Sequence, residues 1–187
     1  IEALIAWKES ENYNSDFQKR LHLHYEINKF INYCDKKDLK PCIRLNGTSD
    51  IPFESFEVPY LNKTLFELFP NIMFYDYTKR IERLTSTNYR LVKKNYHLTF
   101  SYSGNNKEQC LKALDLGFNV SMVMMPNLYQ DMISANNHFK PFKITDKLID
   151  GEKNDHRFLE GYQSAIIALK AKGQALKAND NPFIVGS

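Results

Sequence analysis

Apolar positions fall into two alternating rhythms along the chain. After the capping-box string Ser15-Asp16-Phe17-Gln18, hydrophobic contacts recur every three or four residues at Phe17, Leu21, His24, Ile27, Ile31 and Cys34. That spacing predicts an amphipathic helix over 16–37, closed by residues 38–41. Cys42-Ile43-Arg44-Leu45 then begins a strand that runs into the polar loop Asn46-Gly47-Thr48-Ser49-Asp50. A strand ending in such a loop has the form of a βα unit. Prolines at 52 and 59 interrupt the chain, and 61–69 predicts a short helix ended by Pro70.

The rhythm then repeats. Asn71-Ile72-Met73-Phe74-Tyr75 is a second apolar run, stopped by Asp76-Tyr77-Thr78-Lys79. Beyond the basic, polar stretch 80–94, Tyr96-His97-Leu98-Thr99-Phe100 is a third, ending in Ser101-Tyr102-Ser103-Gly104. Asn105 or Asn106 can cap a helix whose apolar face is Cys110, Leu111 and Leu114, and Gly117 stands where a left-handed C-terminal cap is wanted. A fourth strand is predicted over 118–124, a helix over 128–136, a short strand over 142–144, a loop over 150–155 and a last strand over 165–169. Strands alternating with helices every roughly 25 residues imply parallel pairing through right-handed crossovers. The expected fold is therefore a single α/β domain with a mostly parallel sheet. Five or six strands are too few for a closed eight-stranded barrel of about 250 residues, which leaves a partial (β/α) barrel or an open sheet.

Composition narrows the class without naming a reaction. The 187 residues are 43% hydrophobic and 25% charged, with a formal net charge of +3 from 25 basic and 22 acidic residues. This is the balance of a globular chain, and it is too even to announce nucleic acid or acidic lipid as the partner. No apolar run approaches the roughly 18 residues of a membrane span, so no membrane role is expected. Cys34, Cys42 and Cys110 are odd in number and lack CxxC spacing, which argues against a disulfide framework or zinc knuckle and for a reducing cytoplasm. His22 and His24 lie two apart, so on a helix they point to different sides and do not form a metal pair. The chain begins at Ile1 rather than Met, as a trimmed piece of a longer protein would.

Ligands in parallel α/β folds bind outside the carboxyl ends of the strands, where loops vary and strand ends fix positions. The candidate ligand-binding residues are therefore Arg44, Asn46, Thr48 and Asp50 after the first strand, and Asp76, Thr78 and Lys79 after the second. Ser101 follows the third, Asp150 and Asp155 lie in the late loop, and Lys170 ends the last strand. Cations with loop hydroxyls suit a small polar or phosphate-bearing ligand. Each feature also has a plain structural reading. The 46–50 loop reads equally as a turn with a helix cap, and Arg44 can pair with Asp76 as well as bind substrate. Asp150, Glu152 and Asp155 are either a seat for a hard cation or a solvated turn. Asp150, directly after Leu148-Ile149, is expected to orient Arg157 or a cation, and Glu152 to be solvated. No Gly-x-Ser-x-Gly elbow, Walker loop or Gly-x-Gly-x-x-Gly occurs. The catalytic residues and cofactor, if any, stay unassigned.

Several strings resemble a known family. Ile43-Arg44-Leu45-Asn46-Gly47-Thr48-Ser49-Asp50-Ile51, Phe69 through Lys79, Tyr96-His97-Leu98-Thr99-Phe100-Ser101, Ile149-Asp150-Gly151, Asp155-His156-Arg157-Phe158 and Leu169 through Ala175 are similar to the gene-product-88-like proteins of phages and plasmids. The resemblance runs from about Phe17 onward and implies a phage or other mobile-element origin, with no established activity. Members carry a Cys-rich segment ahead of the first helix, which is remotely similar to the cluster loop of radical S-adenosylmethionine enzymes. This chain departs from that pattern, because residues 1–15 hold no cysteine. Three functions stay open. The first is binding of a polar or phosphate-bearing ligand at the strand ends. The second is a non-catalytic accessory role on a host protein or nucleic acid, and the third is a radical-S-adenosylmethionine-like enzyme fragment.

Overall fold

The structure is a computed structural model that describes residues 2–4, 16–134, 147–177 and 181–186. The strand expected over 142–144 and the end of the helix expected over 128–136 lie outside the described residues. The chain divides into two compact units. The first comprises residues 1–76 and 85–97, and the second comprises residues 77–84 and 98–187.

The first unit opens with β1 (Glu2–Leu4), α1 (Asp16–Lys36) and β2 (Cys42–Arg44). β1 pairs parallel with β2, and β2 pairs parallel with β5 (Met73–Thr78), in the register Cys42↔Met73, Ile43↔Phe74, Arg44↔Tyr75. The parallel arrangement follows from the crossover rhythm read in the sequence. α1 forms where expected, but its buried face is Leu23, Ile27 and Cys34, while Leu21 is 39% exposed. The buried positions keep helical spacing and lie around the helix from the face first drawn.

The helix expected over 61–69 shrinks to α2 (Leu65–Leu68). Tyr60 and Asn62 take left-handed backbone angles, φ 64 and 49, and turn the chain so that β3 (Glu57–Val58) pairs antiparallel with β4 (Lys63–Thr64). The helix can start only afterwards, at a capping box in which Thr64 Oγ1 accepts the Glu67 N–H at 3.3 Å and the Glu67 carboxylate accepts the Thr64 N–H at 2.8 Å. Those bonds from Thr64 hold the Glu67 carboxyl below the usual carboxylate range.

The basic stretch after β5 is also helical, as α3 (Ile81–Thr85) and α4 (Thr87–Val92). Ser86 caps α4 by accepting the Tyr89 N–H at 3.1 Å. Within the first unit Phe66 stacks on Tyr96 at 4.3 Å between ring centroids and meets Phe74 edge-on at 5.0 Å. Beneath this aromatic set the Asn95 carboxamide donates to the carbonyls of Phe66 and Phe69, both at 3.0 Å, and Ile72 at 3.3 Å.

In the second unit the strands run in the order β6 (Tyr96–Ser101), β7 (Val120–Met124), β9 (Ile166–Lys170) and β8 (Leu148–Asp150), all parallel. α5 (Lys107–Asp115) joins β6 to β7, and Gly117, at φ 93, ends that connection in the left-handed conformation expected of it. α6 (Pro126–Ile133) follows β7. A short final strand, β10 (Ile184–Val185), lies parallel on the last two residues of β7. Among the described residues β1 pairs only with β2 and β8 only with β9, so the sheet is not closed into a barrel. The fold class is α/β with mostly parallel strands, and the β3–β4 ribbon is the antiparallel exception.

The Asn95 clasp yields a stability prediction. Asn95→Ala would leave buried carbonyls without their donor, at about 1–3 kcal/mol for each group not rescued by water. Urea unfolding should show a loss of at least about 2 kcal/mol, whereas Asn105→Ala on the exposed loop before α5 should stay within about 0.5 kcal/mol.

Candidate functional site

In the first unit the end of β5 delivers Asp76 into the interior with no exposed surface. A buried carboxylate needs donors, and three arrive. The Asn46 N–H donates to Oδ1 at 2.7 Å, the Asn46 Nδ2 to Oδ2 at 3.0 Å, and the Tyr96 hydroxyl to Oδ2 at 2.7 Å. Asn46 in turn shapes its own loop. Its Oδ1 accepts the Ile51 N–H at 2.9 Å and the Ser49 hydroxyl at 2.8 Å, and its Nδ2 also donates to the Ile51 carbonyl at 3.0 Å. The loop 46–51 is thus pinned from within. Arg44 Nε donates to the Asn46 carbonyl at 3.2 Å, while Thr48 is exposed and Asp50 half-buried. Asp76, Asn46 and Arg44 therefore meet around one loop, as parts of a frame whose bonds are internal.

The second unit holds Thr78, Lys79, Ser101, Asp150, Asp155 and Lys170. Thr78 is buried, and its hydroxyl accepts the Arg80 N–H at 3.0 Å. Ser101 is half-buried and offers its carbonyl to Asn106 Nδ2 at 2.9 Å. Lys79 is exposed, with its ammonium over the Phe183 ring at 5.1 Å from the centroid. Asp155 and Lys170 are exposed at the end of the sheet.

The Asp150-Gly151-Glu152 string is explained by contact with β9. A side chain at Gly151 would meet Ile167 Cγ2 at 2.6 Å, Leu169 Cδ2 at 2.7 Å and the Ala168 carbonyl at 2.9 Å. Only glycine lies flat there. The flanking carboxylates diverge from that point. Asp150 Oδ1 accepts the Tyr129 hydroxyl at 2.6 Å and the Glu152 N–H at 3.0 Å. Burial, reinforced by this bond to Asp150, pushes the Tyr129 phenol up to about 12.

Glu152, expected to be solvated, is engaged instead. It accepts the Lys170 N–H at 3.0 Å and pairs with the Lys172 ammonium. Burial pushes its carboxyl up, but the bonds from Lys172 and Lys170 outweigh this and leave it below the usual range. Arg157 is fully buried, with Nη2 donating to the Gly151 carbonyl at 2.9 Å and Nη1 lying 2.8 Å from Glu160 Oε1. By distance this is an ion pair. Its N–H does not point along the contact, however, so it is weaker than an aligned bond. Burial accordingly raises the Glu160 carboxyl even against the pull of Arg157. Asp155 meets Arg157 through its backbone carbonyl at 3.5 Å. The side chain that sequence reasoning passed over is Glu160, although its spacing of three from Arg157 on one helical turn was a usable signal.

The family model described as Gene product 88 matches residues 4–185. The chain belongs to the gene product 88 family. No match was found among curated proteins or among solved structures. The cluster chemistry raised by the remote likeness to radical S-adenosylmethionine enzymes does not fit the thiols present. Cys34, Cys42 and Cys110 are all buried, and burial raises the Cys34 thiol and pushes Cys110 up to about 12. Among the described residues no group of three His, Cys, Asp or Glu side chains could hold a metal ion. No helix there is long and apolar enough to cross a membrane.

Two variants test these arrangements. Asp76→Asn replaces an acceptor of three bonds with a group that must present donors to donors, and should cost about 2–4 kcal/mol in chemical unfolding. A cost below about 0.5 kcal/mol would show that the frame does not depend on it. Glu152→Gln probes the depressed carboxyl. A group with a lowered folded pKa contributes stability above its unfolded value, about 4.3, and loses it as pH falls through the folded value. The parent should exceed the variant by up to about 1 kcal/mol at pH 6, since Lys172 is largely exposed. The gap should vanish as pH falls below the unfolded value, and thermal melts across that range would reveal it.

Proposed function

We propose that the chain binds a small polar or phosphate-bearing ligand at the carboxyl ends of the parallel strands in its second unit. The observation that carries this reading is the placement of cations around the end of β7. Lys170 stands opposite Met124 in the β7–β9 register. On the other flank Lys79 sits over Phe183, whose neighbour Ile184 lies opposite Val123. The carboxylates nearby are already engaged, Asp150 with Tyr129 and Glu152 with Lys172. Two exposed ammonium groups flanking one strand end are well suited to an anion, because phosphate oxygens accept charge-assisted hydrogen bonds at little cost in burial. Ser101, at the end of the adjacent strand, is a further candidate contact. In this reading the Asp76–Asn46 assembly of the first unit serves as scaffold, and the protein works in a host cytoplasm as the product of a phage or other mobile element.

An accessory role on a partner protein draws on a different observation. Leu21, Tyr25 and Tyr33 are exposed on α1, at 39%, 58% and 48%, and lie four or eight residues apart along that helix.

Titration with inorganic pyrophosphate discriminates between the two. The parent should bind, and raising the salt should weaken binding. Lys79→Ala and Lys170→Ala should each weaken it about tenfold, the equivalent of one charge-assisted bond at about 1.4 kcal/mol. Absence of binding at about 10 mM, or equal binding by parent and both variants, would remove the ligand reading.

A further inference from the structure

We infer that the segment Asn181–Gly186 is a displaceable strap that occupies the anion site at the end of β7 and competes with its ligand. The inference rests on the ligand reading above and names how that site is controlled.

The position of the segment is the first argument. In their printed pairing, β6 reaches β7 only as far as Ser101↔Ser121, whereas β10 takes up Val123 and Met124. β10 therefore fills the strand-end position where a parallel sheet normally admits a ligand. Val185 supplies the carbonyl that accepts the Met125 N–H at 3.0 Å. The second argument is the contact with Lys79, whose ammonium lies over the Phe183 ring. An aromatic face is a weak, non-ionic substitute for an anion at a lysine.

The third argument is that the seat is shaped for this segment. Gly104, at φ +92, admits the Pro182 carbonyl so closely that a Cβ there would stand 2.4 Å from its oxygen. Ile184 is buried, and its N–H donates to the Asn181 carbonyl at 2.9 Å, closing a turn that is further held by the Phe183 N–H on Asn181 Oδ1 at 3.1 Å. The grip is nevertheless short. Two paired residues, one buried isoleucine and one ring over a lysine make an element that can open without unfolding the strands beneath it. A ligand that needs the open form pays in apparent affinity in proportion to the closed population.

The experiment compares the full chain, a chain lacking residues 181–187, and Phe183→Ala in the full chain, each titrated with inorganic pyrophosphate. Amide hydrogen exchange is followed at Met125, Phe100 and Val120. Phe100 and Val120 report the sheet itself, because they donate to the Asn119 and Ala165 carbonyls. Both altered chains should bind pyrophosphate at least about tenfold more tightly than the full chain. In the full chain Met125 should exchange far faster than Phe100 and Val120, and faster still once pyrophosphate is added. Unchanged or weaker binding after removal of the segment overturns the strap while leaving the ligand site standing. The same follows if pyrophosphate leaves Met125 exchange unaltered. If none of the three proteins binds pyrophosphate, the site reading falls and the strap falls with it. Phe183→Ala guards against a shortened chain that fails to fold, since it retains Ile184 in its seat.

Discussion

A carboxylate buried at the end of a strand must be given donors, and much of the first unit is organised by how Asp76 obtains them. Its side chain has no exposed surface, so each unmet lone pair would cost a large part of the stability of a domain. Asn46 meets that demand with both its backbone and its side chain, and Tyr96 adds a hydroxyl. Because Asn46 also closes the loop to Ile51, the requirement passes from β5 to the loop after β2. The Tyr96 ring, stacked on Phe66, carries it into the aromatic core. Polar satisfaction and apolar packing here constrain the same residues.

The second unit meets a comparable demand by different means. Gly151 brings the backbone onto β9 closely enough for Arg157 to reach its carbonyl, and the carboxylates on either side are left pointing apart. Asp150 engages a phenol and Glu152 engages an ammonium and a backbone N–H. The acidic string is thereby largely neutralised by its own surroundings. What stays exposed at the strand ends is cationic, at Lys79 and Lys170, which gives this end of the unit its chemical character.

Much of this was legible in the residues. Runs that end in polar loops identified β2, β5, β6, β7 and β9 and their parallel sense, because a strand buried on both faces needs a continuous apolar string and a crossover needs a helix. The elements that escaped are short: β1, β3, β4, β8 and β10 span two or three residues each. Such strands exist only because a longer neighbour offers its edge, and that is a property of tertiary pairing. The face of α1 was misdrawn at Leu21 for a related reason, since several apolar residues on one helix permit more than one seam. At the candidate site, Asp76 and Asn46 were read as ligand residues when their visible bonds are to each other. A buried polar group and a binding group have the same letters, and only burial and partners separate them. Phe183 carried no signal at all, because a lone aromatic in a polar stretch does not announce which lysine it will cover.

The close approach at Gly151 has a practical consequence for anyone wishing to attach a reporter to this protein. A cysteine introduced there for a fluorophore or spin label would have to force β8 off β9, and any signal would describe a damaged sheet. Two residues further on, Lys153 is exposed. A label at that position would stand beside the same strand ends as an external observer, close enough to sense events at Lys170 and Lys172 without entering the sheet.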